Sequence, residues 1–151
     1  MTYTGSQAFV PPAGTSIAIN TGTLSVPDWV PINEVLDITP SGRKYAVEQT
    51  TNLSSTAVEK LKTLLDSGKV AVSYNYLGCD DDGEVALEAA YVAPGTSQFQ
   101  ITIPGLPSGK TETITFTANI VEKDVDKIAR NQVLKAKIDL DLTGPYTFSA
   151  A

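Results

Sequence analysis

A chain of 151 residues that is 42% apolar and 19% charged has the makeup of one globular domain with one core. It contains no histidine and a single cysteine, Cys79, which removes His-dependent catalytic triads, the usual zinc sites and any internal disulfide. A net charge of −6 argues against holding nucleic acid by neutralising phosphates, and with no apolar run of membrane-spanning length and no signal-like N-terminus, synthesis in a cytosol is expected.

Residues 1–16 mix Pro, Gly, Ser and Thr without periodicity and read as an extended N-terminal arm. Its Tyr3, Phe9 and Val10 suit docking onto a neighbour as well as they suit a frayed end. Ile17–Asn20 forms a short strand followed by a turn. Pro31 and Pro40 bound a strand over Ile32–Ile38, and proline at both ends keeps it out of a sheet centre. Pro40-Ser41-Gly42 is a turn from which Arg43–Thr51 returns as a second strand.

Over Leu53–Gly68 the period changes. Thr56 and Glu59 have capping-box spacing, Val58, Leu61, Leu64 and Leu65 recur at helical intervals, and Gly68 can close the last turn, so a helix with a core-facing stripe is expected. Val70, Val72, Tyr74 and Tyr76 then alternate with small or polar residues as a strand. The stretch from Cys79 to Glu84, CDDDGE, raises the question of calcium. Its acids are contiguous rather than alternate, and no Glu stands six residues beyond the glycine, so no metal site is assigned. Instead Asp82 caps a short helix from Glu84 to Tyr91, closed by Ala93-Pro94-Gly95.

Gln98–Val121 carries the clearest signal, a β-hairpin. Phe99, Ile101 and Ile103, then Ile114, Phe116, Ala118 and Ile120, alternate with Gln, Thr and Asn. The intervening Gly105, Gly109, Lys110 and Thr111 imitate a phosphate-binding loop, but only three residues separate the glycines and a strand follows, so they form a turn. A charged connection with one helical turn around Val125 and Ile128 leads to a last strand, Leu134–Leu142, which Thr143-Gly144-Pro145 stops. The C-terminal tail, 145–151, places Tyr146 and Phe148 in alternation and suits a small strand added to this molecule or to another.

The sum is a mainly β domain, a β-sandwich or partly open barrel of about eight strands with one or two short flanking helices. Several strands have polar faces poor in charge and edges with few blocks. That combination suggests assembly through strand addition or interlocking sheets.

The ordered set Trp29, Ile32, Glu34-Val35, Asp37-Ile38-Thr39-Pro40, Leu64-Leu65-Asp66-Ser67-Gly68, Asp82-Gly83, Phe99–Pro104, Thr113–Phe116 and Thr143-Gly144 resembles the major tail tube proteins of long-tailed bacteriophages. This lambda-type family is related to type VI secretion tube proteins. The resemblance spans residues 28–144. It implies a structural virion protein without catalytic residues, cofactor or metal, assembled in the host cytoplasm into rings, commonly hexamers, that stack as the hollow tube of the virion tail. The partners implied are tail tip and tail terminator proteins, with a tape measure protein in the lumen and DNA passing without tight binding; no membrane is involved. Some relatives carry an extra C-terminal immunoglobulin-like domain, and this chain is expected to be one tail-tube domain without it. Glu34, Asp37 and Glu48 are the lumen-facing candidates. Pro40, Ser41, Gly42, Tyr3, Phe9, Tyr146 and Phe148 are the candidates for inter-ring contacts. The alternative is a carbohydrate- or protein-binding β-sandwich with Tyr3, Trp29 and Tyr146 as its platform.

Overall fold

A computed structural model describes residues 13–151; Tyr3, Phe9 and Val10 lie outside the described residues. Nine strands and one helix follow in the order β1 (Ser16–Asn20), β2 (Trp29–Pro31), β3 (Val35–Ser41), β4 (Lys44–Gln49), β5 (Lys60–Asp66), β6 (Lys69–Asn75), α1 (Asp82–Val92), β7 (Ser97–Ile103), β8 (Glu112–Val125) and β9 (Lys135–Ala150). Seven strands form an antiparallel sheet in the order β2-β1-β7-β8-β9-β6-β3, and β4 pairs only with β5. Both prolines of the early strands sit at the sheet's edges, Pro31 ending β2 and Pro40 within β3, where a missing N–H breaks no central ladder. The sheet curls. Ala13 and Thr15 ahead of β1, Val35 and Ile38 of β3, and Ile101 and Ile114 of β7 and β8 line one common cleft, so the mainly β fold is a partly open barrel.

The core is the period-two face of these strands: Ile17 and Ile19, Val70, Val72 and Tyr74, Phe99 and Ile101, Phe116 and Ala118, Ile138 and Leu140. The hairpin of β7 and β8 forms as expected, its register placing Phe99 opposite Phe116 with their rings 5.8 Å apart, and the Gly105–Lys110 segment is its turn. Helix α1 lies over this face with Leu87 fully buried.

Five expectations are corrected. Leu53–Gly68 is not a helix. Val58, Leu61 and Leu64 are 65%, 58% and 81% exposed, so their helical spacing meets no surface, and Lys60–Asp66 instead satisfies its backbone by pairing with β4. Nor does Pro40-Ser41-Gly42 reverse the chain. Ser41 pairs with Lys69 and Lys44 with Asp66, so β3–β4 runs outward and β5–β6 returns as one long hairpin, kinked at 42–43 and 67–68. The outer half of this hairpin, β4, β5 and the loop between them, is an arm standing off the barrel.

The cap of α1 is Asp81, one residue earlier than expected, because Asp81 is extended (φ −72°, ψ 133°) and its carboxylate accepts from the Glu84 N–H at 3.3 Å. At the other end of the fold, no helical turn forms around Val125. β8 keeps pairing there, Asp124 with Lys137 and Val125 with Ala136, and 126–134 is a loop. Finally, β9 does not stop at Thr143-Gly144-Pro145. It bulges there, with Gly144 at φ +78°, and resumes so that Thr147 pairs with Thr115 of the same molecule. The segment from Pro145 to Ala150 therefore belongs to β9.

Candidate assembly surfaces

The arm is held firmly at its root. Gly68 adopts φ +79°, and a Cβ there would stand 2.0 Å from the Ser41 carbonyl oxygen, so only glycine lets the two chain segments cross. Ser67 donates to the Gly144 carbonyl, the Leu142 N–H donates to the Gly68 carbonyl at 3.0 Å, and the Asp66 carboxylate accepts from the Gly68 N–H at 2.9 Å. The kink of the arm and the bulge of β9 thus fix each other. Beyond the root the arm touches little. Its loop is closed by side chains acting on backbone: Asn52 Oδ1 accepts from Ser54 N–H at 2.9 Å, and Thr51 Oγ1 from Glu59 N–H at 2.9 Å. The result is an ordered element that presents Val47, Leu53, Val58, Leu61 and Leu64 to solvent.

Beside the root lies a cleft of about 320 Å³ lined by Pro40, Ser41, Arg43, Val70, Ile101, Ile114, Tyr146 and Phe148. The Arg43 guanidinium sits 5.1 Å from the centre of the Tyr146 ring and 5.5 Å from that of Phe148, within cation–π reach. Burial pushes the Tyr146 hydroxyl's pKa up, with Arg43 opposing. Four of the proposed contact residues, Pro40, Ser41, Tyr146 and Phe148, are therefore brought together by a fold that separates them widely in sequence. Gly42 forms the adjoining kink at φ +77°.

The sheet's other face is polar. Thr102 pairs with Thr113, Gln100 with Thr115 and Gln98 with Thr117, and the rows continue to Thr147, Thr143 and Asp141 on β9. Asp139 and Asp141 alternate with buried Ile138, Leu140 and Leu142, which puts both carboxylates on this face. Asp37 pairs with Ser73, itself opposite Lys137, and joins the same face. The three carboxylates proposed for a lumen are not brought together. Only Asp37 is on the polar sheet face, while Glu34 occupies a turn at φ 52° and Glu48 is on the arm opposite Leu61. Asp139 and Asp141 were legible in the alternation of the last strand, yet only the strand order makes them neighbours of the threonine rows.

One buried polar cluster joins α1 to the sheet. The Tyr74 hydroxyl donates to Glu84 Oε2 at 2.8 Å, and Lys123 binds both Glu84 and, at 2.9 Å, Glu88. Glu84 is 5% exposed and Lys123 11%, so the pair is desolvated and its mutual bonding is what makes burial tolerable. Desolvation and then the Glu84 carboxylate push the Tyr74 pKa far above its ordinary value. Desolvation alone would lower that of Lys123, but hydrogen bonds to Glu84 and Glu88 raise it on balance. This cluster clamps the helix. No group of three or more metal-binding side chains occurs among the described residues. The aromatic platform of the alternative reading is not assembled either, since Trp29 and Tyr146 line different clefts and Tyr3 is outside the described residues.

The described residues thus form a curled sheet with one polar face and a projecting arm that exposes apolar side chains. No protein-family model matches the sequence, and no curated protein matches it. Solved structures do share the fold. A chain of the SPP1 tail tube matches with a TM-score of 0.68 and 12% identity, over 91% of this chain and 77% of that one. A chain from the tail of an empty gene transfer agent particle, refined with C6 symmetry, matches at 0.66 and 14%, over 88% and 95%. One from the 6-fold symmetrised baseplate of the anti-feeding prophage matches at 0.63 and 13%, over 94% and 97%. The chain thus has the fold found in the tail tubes and baseplates of phage-like particles.

Proposed function

We propose that this chain is a structural subunit of a virion tail tube: copies close into rings, hexameric like the symmetry of the neighbours just described, and the rings stack into a conduit for DNA. The observation that carries the reading is the arm. A rigidly rooted hairpin whose Leu53, Leu61 and Leu64 are exposed among the described residues suits contact with another copy, and one head-to-tail contact that does not close on itself yields an open stack. The threonine- and glutamine-rich face of the sheet, with Asp37, Asp139 and Asp141, suits a lumen. Lys69, Lys135 and Lys137 share this face, but Lys69 stands opposite Asp141 and Lys137 pairs with Glu122, so they are offset by carboxylates, whose repulsion of phosphates reaches roughly 8 Å at physiological salt. Contacts around Pro40, Ser41, Gly42, Tyr146 and Phe148 join successive rings. Tail tip, terminator and tape measure proteins complete the tail, which assembles in the host cytoplasm, and the role is structural rather than enzymatic.

Negative-stain electron microscopy of the purified protein, with sedimentation velocity over a concentration series, tests this. Rings or tubes are expected; a persistent monomer that binds glycans would sink it.

A further inference from the structure

Among the described residues the barrel is uncovered where the chain enters it. A cleft of about 680 Å³ is lined by Ala13 and Gly14, by Val35 and Ile38 of β3, and by Ile103 and Ile114 of the β7–β8 hairpin. It shares Pro40, Ile101 and Ile114 with the cleft of about 320 Å³ beside the arm root, so the two adjoin as one apolar trough. Val35, Ile38, Ile103, Ile114 and Tyr146 pack against the core yet stay half-buried, and Leu36 and Phe148 on the rims are each 49% exposed. A contiguous apolar surface of this kind, continuous with a core, is normally covered.

A candidate to cover it is tethered at its edge. Residues 1–12, MTYTGSQAFVPP, contain no Asp, Glu, Lys or Arg and include Tyr3, Phe9 and Val10. They join the described chain at Ala13, which is itself on the trough wall, with Gly14 at φ +104° beside it. Phe9 stands four residues before Ala13, so its backbone lies within about 14 Å of that wall however the segment runs. A segment so tethered meets its own trough at an effective concentration in the mM range, far above that of a second copy in dilute solution. Its lack of charged side chains suits a lining whose charged members are Asp37 and Arg43, the latter already placed over the Tyr146 and Phe148 rings. We infer that residues 1–12 fold back into the trough of their own subunit, with Phe9 and Val10 resting on Ile38, Ile103 and Ile114. The segment then covers the surface assigned above to contacts between rings, and in the free subunit it blocks stacking until a neighbouring ring displaces it. The blocking role rests on the assembly reading; the fold-back does not.

Cross-linking the full chain, kept below the concentration at which it assembles, tests the fold-back. With Cys79→Ser removing the native thiol, Ala8→Cys is combined with Leu36→Cys or with Phe148→Cys, one on each rim. Mild oxidation is expected to close an intramolecular disulfide in at least one pair, read on a non-reducing gel as a faster-running monomer that reverts on reduction. Disulfide-linked dimers in place of the closed monomer would mean that the segment seats in a second copy, and would overturn the proposal. So would closure in neither rim pair, or equal closure between Ala8→Cys and Val92→Cys, whose site on α1 lines a different cleft. Phe9→Ser, which frees the trough without altering its walls, is expected to assemble at a concentration about tenfold lower than the unsubstituted chain, as for losing the burial of one aromatic side chain. An equal or higher threshold would refute the blocking role. Rings or tubes from neither protein, with the disulfide still closing, would refute the assembly reading and leave the fold-back standing.

Discussion

At the scale of single residues, two positions carry more of the fold than their neighbours. Gly68 is one. With φ at +79° and the Ser41 carbonyl oxygen 2.0 Å from where a Cβ would sit, Gly68→Ala must move backbone rather than a side-chain end. A loss of at least about 2 kcal/mol is expected, read by denaturant unfolding. The other is Lys123. Lys123→Ala leaves Glu84 buried beside Tyr74 without its counter-charge, and about 3–5 kcal/mol should be lost; Lys123→Ala combined with Glu84→Gln should recover much of it. The cluster also has a pH signature. Tyr74 and Lys123 both have folded pKa values raised above their unfolded ones, so the folded state holds their protons more tightly. Their contribution is complete below pH about 10 and is lost as pH climbs through the raised values. Unfolding midpoints measured from pH 8 to 11 should fall steeply above 10 in the natural protein and less steeply in Tyr74→Phe.

At the scale of elements, the arm and the barrel are separable in energetic terms. The leucines of the arm are exposed, so Leu61→Ser with Leu64→Ser should change the stability of the isolated subunit by no more than about 0.5 kcal/mol per site while abolishing assembly. A stronger version replaces residues 44–66 with Asn-Gly, bridging Arg43 to Ser67. The β3–β6 ladder, Ser41 with Lys69 onward, is untouched, so the barrel should keep its melting profile and remain monomeric by sedimentation. A large fall in melting temperature would show that the arm supports the fold.

At the scale of the whole molecule, the proposed conduit for DNA makes a prediction about charge. The chain as a whole is acidic, and its polar sheet face carries Asp37, Asp139 and Asp141 among threonines. Duplex DNA should show no retardation by the protein on a native gel at physiological salt. Asp139→Lys with Asp141→Lys, on a strand whose core side is unchanged, should produce salt-sensitive retention. An unchanged gel would count against this face as the proposed lumen surface.

Much of this was open to inspection of the sequence alone, and for one reason: period-two alternation is a local property. It gives β6, the β7–β8 hairpin and the core face of β9, and proline marks the peripheral strands. It does not say what lies opposite. Val58, Leu61, Leu64 and Leu65 repeat as a helix would, and only the pairing of Lys60–Asp66 with β4, out of reach of the core, makes them an exposed strand. Gly144 and Pro145 look like a stop, and only continued pairing with β8 turns them into a bulge. The meeting of Pro40, Ser41, Tyr146 and Phe148, the clamp of Tyr74, Glu84 and Lys123, and the joining of Asp139 and Asp141 to the threonine rows all depend on strand order. Strand order is set by contacts between residues far apart in the chain, and no local pattern encodes them.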